Sequence, residues 1–165
     1  MREYGDYIRE TKRLLQNYNK MKVAALNLTE EIKAQEMLLR DESIASIQYG
    51  DDRISGGTRE LTSTEAAAVR RIKLEGHITD MRIRRDEIER TIRAIDRAFE
   101  SLDDADVGLL RERYIKGLSW AEIGEVLNYT EKWVRDKGGK TLRDVALMLF
   151  GVIVKPAQLK IKFEN

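Results

Sequence analysis

The chain has no cysteine, one histidine (His77) and one proline (Pro156) in 165 residues. Without cysteine there are no disulfides and no thiolate metal sites, which suits a reducing cytoplasm. A single histidine cannot build a histidine-based zinc site. No run of 18 apolar residues is present, so no membrane span is expected. The opening Met-Arg-Glu-Tyr has no apolar stretch, so no signal peptide is expected either. No glycine-rich phosphate loop follows a strand pattern, and no histidine stands beside a nucleophile; the reading is not an enzyme, with no cofactor and no metal. Hydrophobic residues make up 42% and charged residues 36%, enough apolar matter to fold and a helix-rich balance.

The fold class expected is all-α: a long antiparallel coiled-coil helical hairpin over residues 1–102, a helix-turn-helix module over 103–150, and a short tail over 151–165. In the first part, Tyr4, Tyr7, Thr11, Leu14, Tyr18, Met21, Ala25, Leu28, Ile32, Gln35 and Leu39 recur at steps of three and four, the coiled-coil period. One helix is expected through residues 3–40. Asp41-Glu-Ser, Tyr49-Gly-Asp-Asp and Ser55-Gly-Gly-Thr are turn residues, so a loop is placed at about 41–63, with Ile44 and Ile47 able to extend the helix by a turn. Thr62-Ser-Thr-Glu65 has capping-box spacing and opens a second helix. Leu74, Ile78, Met81, Arg85, Ile88, Ile92, Ile95, Phe99 and Leu102 form its seam, and Val69, Ile72 and Ile83 a second stripe. A lone two-helix hairpin would leave that stripe wet, which favours a homo-oligomer through the arm.

Asp103-Asp-Ala-Asp106 fits the positive start of a helix; as a magnesium site it would lack further carboxylates. Val107, Leu110, Tyr114 and Ile115 continue the helix and Gly117 ends it. Ser119-Trp-Ala-Glu122 is another capping box, opening a short helix to about Leu127 with Trp120, Ile123, Val126 and Leu127 as its apolar face. Asn128-Tyr129 makes a turn, and Thr130 caps a third helix with Trp133, Val134, Leu142, Val145, Ala146 and Leu149 apolar. Residues 1–102 balance 19 basic against 19 acidic side chains, whereas 128–143 hold five basic (Lys132, Arg135, Lys137, Lys140, Arg143) against two acidic (Glu131, Asp136). A short helix, a tight turn and a basic helix make the pattern that places one helix in the DNA major groove. The alternative is a plain three-helix bundle with a solvated basic face.

Leu109-Leu-Arg-Glu-Arg-Tyr114-Ile-Lys-Gly117-Leu-Ser-Trp120-Ala-Glu-Ile123-Gly-Glu-Val-Leu127, with Tyr129-Thr130 and Val134-Arg135, resembles the region-four helix-turn-helix of bacterial sigma factors. With the long N-terminal helices and Ser55-Gly56-Gly57, the chain over most of residues 40–149 resembles ArpU/RinA-like regulators of phages of Gram-positive bacteria. That resemblance implies activation of late phage genes such as packaging and lysis operons. The function expected is a sequence-specific, DNA-binding transcription regulator of double-stranded DNA in the cytoplasm, with RNA polymerase as a possible further partner. Thr130, Glu131, Lys132, Trp133, Arg135, Asp136, Gly139, Lys140 and Arg143 are the DNA-binding candidates. Arg135 is the expected base reader, because its fork matches guanine; Lys140 and Arg143 suit phosphate. Two rival readings are a phage terminase small subunit-like DNA-recognition protein and a coiled-coil scaffold that binds no DNA.

Gly138-Gly139 breaks the pattern, since two mid-helix glycines cost about 1 kcal/mol each relative to alanine. One reading keeps the helix continuous and assigns the pair to close approach of DNA phosphate, so that replacing both by alanine stabilises the free protein. The other stops the helix near Lys137 and restarts it near Thr141. The tail, Gly151-Val-Ile-Val-Lys-Pro and Leu159-Lys-Ile-Lys-Phe163, alternates apolar and basic residues and fits a short strand or hairpin, or a frayed end.

Overall fold

The computed structural model describes residues 4–48 and 63–151. All its regular structure there is helical: α1 (Tyr4–Gln16), α2 (Tyr18–Gln48), α3 (Ser63–Glu100), α4 (Asp104–Leu110), α5 (Trp120–Leu127) and α6 (Glu131–Phe150), with a π-helical turn at Arg111–Ile115 between α4 and α5. The all-α class is as expected. Residues 41–48, expected to begin the loop, are helical instead. The glycine-rich segment, Thr62 of the capping box and the alternating tail beyond Gly151 lie outside the described residues.

The expected single helix over 3–40 is interrupted at Asn17. Its backbone N–H and its side-chain amide both donate to the Arg13 carbonyl, at 3.1 and 2.9 Å. A short polar side chain that bonds locally competes with the helical ladder, and heptad spacing alone does not register that.

The chain divides into two compact units, Met1–Lys20 with Thr91–Asn165, and Met21–Arg90. The expected boundary at residue 102 therefore differs from the division by contact: α1 and the last turns of α3 belong with the C-terminal helices.

In the second unit Ile32, Ile78 and Met81 form a buried cluster, with Leu28, Leu39 and Leu74 packed against it. Glu36 and Arg82 form an ion pair at 2.5 Å. The polar interruptions of the two seams avoid burial without a partner. Gln35 donates to Glu31 at 2.7 Å. Arg85 is only partly covered and lies 2.8 Å from Asp86 and 4.0 Å from Glu89, contacts that hold its guanidinium above its ordinary pKa, the Asp86 hydrogen bond most of all.

The second unit also keeps an outer apolar pattern. Val23, Leu26, Met37 and Leu38 are exposed on α2, the first three at positions nine before, six before and five after Ile32. Val69, Ile72 and Ile83 are exposed at the same offsets from Ile78. At 3.6 residues per turn each triplet lies about 120–180° around its helix from that buried isoleucine.

In the first unit α1 and α4 pack on α6, and α5 packs on α6 as well. Ile92 and Ile95, expected in the arm, are buried in this unit instead. Thr11 is fully buried, and its hydroxyl donates to the Tyr7 carbonyl at 2.8 Å, so an apparent break in the seam carries no unmet polar group. Leu15 is buried in place of the expected Leu14, which is half-covered. Tyr18 stacks at a tilt on Phe99, with centroids 6.3 Å apart, and its hydroxyl donates to Asp96 at 2.5 Å.

Candidate nucleic-acid interface

The site is built on two capped helices and the turn between them. Ser119 accepts from the Glu122 backbone N–H at 3.2 Å, and the Glu122 carboxylate accepts from the Ser119 N–H at 2.7 Å. This reciprocal pair starts α5, and the hydroxyl bond holds the Glu122 carboxyl below its ordinary pKa. Asn128 ends α5 in the left-handed region, at φ 56°, which asparagine tolerates. Tyr129 then donates to the Gly124 carbonyl at 2.9 Å. Thr130 caps α6 by accepting from the Trp133 N–H at 3.3 Å. Only residues 128–130 separate the two helices.

Two glycines let these helices approach. A Cβ on Gly124 would stand 2.8 Å from the Tyr129 carbonyl oxygen. A Cβ on Gly138 would stand 2.4 Å from Trp120 Cη2 and 2.7 Å from Leu109 Cδ2. α6 runs through Gly138 and Gly139 unbroken, so the interruption near Lys137 does not occur. The assignment of both glycines to DNA phosphate is corrected too: Gly138 faces inward and is there because an aromatic ring occupies the space of its side chain. Gly139 differs, with only Arg143 Nη1 within 4 Å of a built Cβ, at 3.9 Å.

Trp120 is held from three sides. Tyr114 meets it edge-on with centroids 6.2 Å apart, the Arg113 guanidinium lies 5.0 Å from its ring centre, and Gly138 lies beneath it. Around it Leu109, Ile123 and Val134 form the local core, with Leu118 alongside. Gly117, at φ +85°, turns the chain after the π-helical turn, as its expected end-of-helix place requires.

The expected apolar face of α5 is corrected in part. Val126 is 70% exposed and Leu127 is exposed as well, whereas Ile123 is buried. Trp133, also expected on an apolar face, is 43% exposed and lies stacked on Tyr129, with centroids 4.1 Å apart and planes 19° from parallel.

Of the five basic residues of α6, Lys137 is half-exposed and is paired with α4. Its Nζ lies 2.9 Å from Asp106 Oδ1 and hydrogen-bonds Oδ2 at 3.1 Å, which raises the Lys137 pKa. The pair ties α4 to α6, and it accounts for one of the acidic residues at the start of α4. Asp103 stands at the N-cap position without a side-chain cap bond. Among the described residues no group of three or more potential ligands is placed to hold a metal. Arg135 is exposed and ion-paired with Glu131 one turn back. Lys132 and Lys140 are exposed and Arg143 half-exposed; none of the three has an ion pair or side-chain hydrogen bond among the described residues.

At 3.6 residues per turn, Arg135, Gly139, Lys132, Arg143, Asp136 and Lys140 fall within an arc of about 140°. Its centre lies about 160° from that of buried Val134, Gly138, Thr141 and Val145. Gly139 is near the middle of the outward arc, flanked by cations. Trp133 lies at its Lys140 edge, while Glu131 and Thr130 lie at the turn. Six of the nine candidates thus share the outward arc of α6, while Thr130, Glu131 and Trp133 lie at its start and edges. The Tyr129–Trp133 stack is the feature that sequence reading missed; an aromatic at each side of the Thr130 cap was the available signal.

No described helix is long and apolar enough to cross a membrane. No protein-family model, curated protein or solved structure matches the chain.

Proposed function

We propose that the chain is a sequence-specific, double-stranded DNA-binding transcription regulator, with α5 and α6 as a helix-turn-helix and α6 as the helix that enters the major groove. One observation carries the reading: the outward face of α6 gathers Lys132, Lys140 and Arg143, none of them ion-paired among the described residues and with Asp136 as the one acidic residue of the arc, around a glycine that nothing inside the protein requires. Such a face is suited to phosphate, and the major groove admits one helix. Arg135 would leave Glu131 to meet a base edge, and Lys140 and Arg143 would contact the backbone. The resemblance to ArpU/RinA-like regulators makes activation of phage late genes the corresponding cellular role, in the cytoplasm, with RNA polymerase as a further partner. Footprinting of the protein on host and phage DNA tests this: a discrete protected site upstream of a regulated operon supports it, and uniform coverage or no binding contradicts it.

A second feature bears on assembly. The outer triplets on α2 and α3 repeat one spacing, so each helix offers the other's pattern to a second copy. We read the 21–90 unit as the oligomerisation element. Pairing of α2 with α3 of another copy can close as a two-fold dimer or, between successive copies, as a ring. A ring would favour the terminase small subunit-like reading over a dimeric activator, and DNA binding belongs to both.

A further inference from the structure

We infer that the Tyr129–Trp133 stack reads a thymine: its exposed edge takes the C5-methyl group of that base in the major groove. The inference rests on the DNA-binding reading above and adds a specificity determinant to it.

The two rings lie nearly parallel at 4.1 Å. They bury their inner faces on each other and leave Tyr129 53% and Trp133 43% exposed. Tyr129 directly precedes the Thr130 cap, and Trp133 is the third helical residue. A stack in those places sets the angle at which the chain enters α6, much as a hydrophobic staple does. That role needs only the inner faces and a medium-sized apolar side chain. It does not call for an indole whose other face is open to water.

The surroundings of the open face point to DNA. Trp133 lies on the Lys140 side of the basic arc, about 20° from Lys140 around the helix. It is in the first turn of α6, the part of a recognition helix that meets base edges. An apolar ring beside the basic arc suits a surface that is anionic at its rim and apolar at one point inside. The major groove is such a surface, and the thymine methyl is its only apolar mark. Asp136, three residues on from Trp133, also lies in the arc and would disfavour phosphate at its own position.

The test removes that methyl and nothing else. A preferred duplex is selected from a random pool with the full chain, and each thymine in it is then replaced in turn by deoxyuridine. One position per bound module should lose about fourfold in affinity, the worth of one buried methyl at about 0.8 kcal/mol. Trp133→Ala should bind more weakly and be indifferent to the same replacement. Trp133→Phe, which keeps an aromatic edge and guards against loss of folding, should remain sensitive. A wild-type protein that binds its selected duplex yet tolerates deoxyuridine everywhere overturns the inference while leaving DNA binding intact. So does a Trp133→Ala protein that still senses the methyl, or one that loses only activation in a purified transcription assay, which would assign the stack to a protein partner. A chain that enriches no sequence overturns the underlying reading as well.

Discussion

Gly138 lies beneath the indole of Trp120 so closely that a Cβ on it would stand 2.4 Å from Cη2. Its neighbour Gly139 stands about 100° further around the helix, with a single atom within 4 Å of a built Cβ. Neither residue has a positive φ. The two therefore differ in surroundings and not in backbone conformation, and single substitutions should separate them.

Gly138→Ala forces the Trp120 ring or Leu109 to move and should destabilise the protein by about 1–3 kcal/mol, the usual range for overpacking. Gly139→Ala removes a mid-helix glycine from open surface and should stabilise the free protein by up to about 1 kcal/mol. If α6 lies against DNA at that point, Gly139→Ala should also weaken DNA binding. Thermal melting without DNA and anisotropy with it give the two readouts. A more stable Gly138→Ala protein would contradict the packing account.

The capping box gives a pH dependence of known sign. Glu122 is held below its ordinary pKa of 4.5 by the Ser119 hydroxyl. Its contribution is thus fully present above that value and is lost as the pH falls through the lowered one. The melting temperature should decline below about pH 4.5, and Glu122→Gln should flatten the part of the decline that this carboxylate causes. Melting of the two proteins from pH 6 to pH 3 checks it. Parallel curves would show that the box has no such effect.

The outer stripes predict assembly. Ile72→Asp places a charge where a second copy would pack, and Leu26→Asp does the same on the other helix. Either should lower the mass in solution, seen by light scattering, with helicity kept, because both residues face away from the Ile32–Ile78–Met81 cluster. Ile32→Asp, inside that cluster, should cost several kcal/mol and reduce helicity. A wild-type protein that is already monomeric would contradict the oligomer reading.

What was legible in the sequence was what rests on local chemistry. The Ser119–Glu122 box, the Thr130 cap, the Gly117 turn and the buried isoleucines follow from spacing and residue type. What was not legible depends on contacts distant in sequence. Asn17 breaks a helix whose heptads run on either side of it. The place of Ile92 and Ile95 depends on which unit the end of α3 joins, and periodicity is the same in both cases. Gly138 looked like a defect because the ring that requires it lies 18 residues away. Trp133 fits an apolar helical stripe in sequence, yet its partner is Tyr129, outside the helix.

The central claim is that the outward face of α6 binds DNA. The most direct measurement is the affinity of the full chain for its selected duplex against salt, with wild type beside a Lys132→Ala, Lys140→Ala, Arg143→Ala triple variant. Each lost phosphate contact should reduce the slope of log affinity against log salt by about one unit, so a reduction of about two to three is expected with folding unchanged. Arg135→Ala should instead narrow the preference for the selected duplex over a scrambled one, at a cost of about 1–3 kcal/mol. A triple variant with the wild-type slope and affinity would show that this face is not the one that meets DNA.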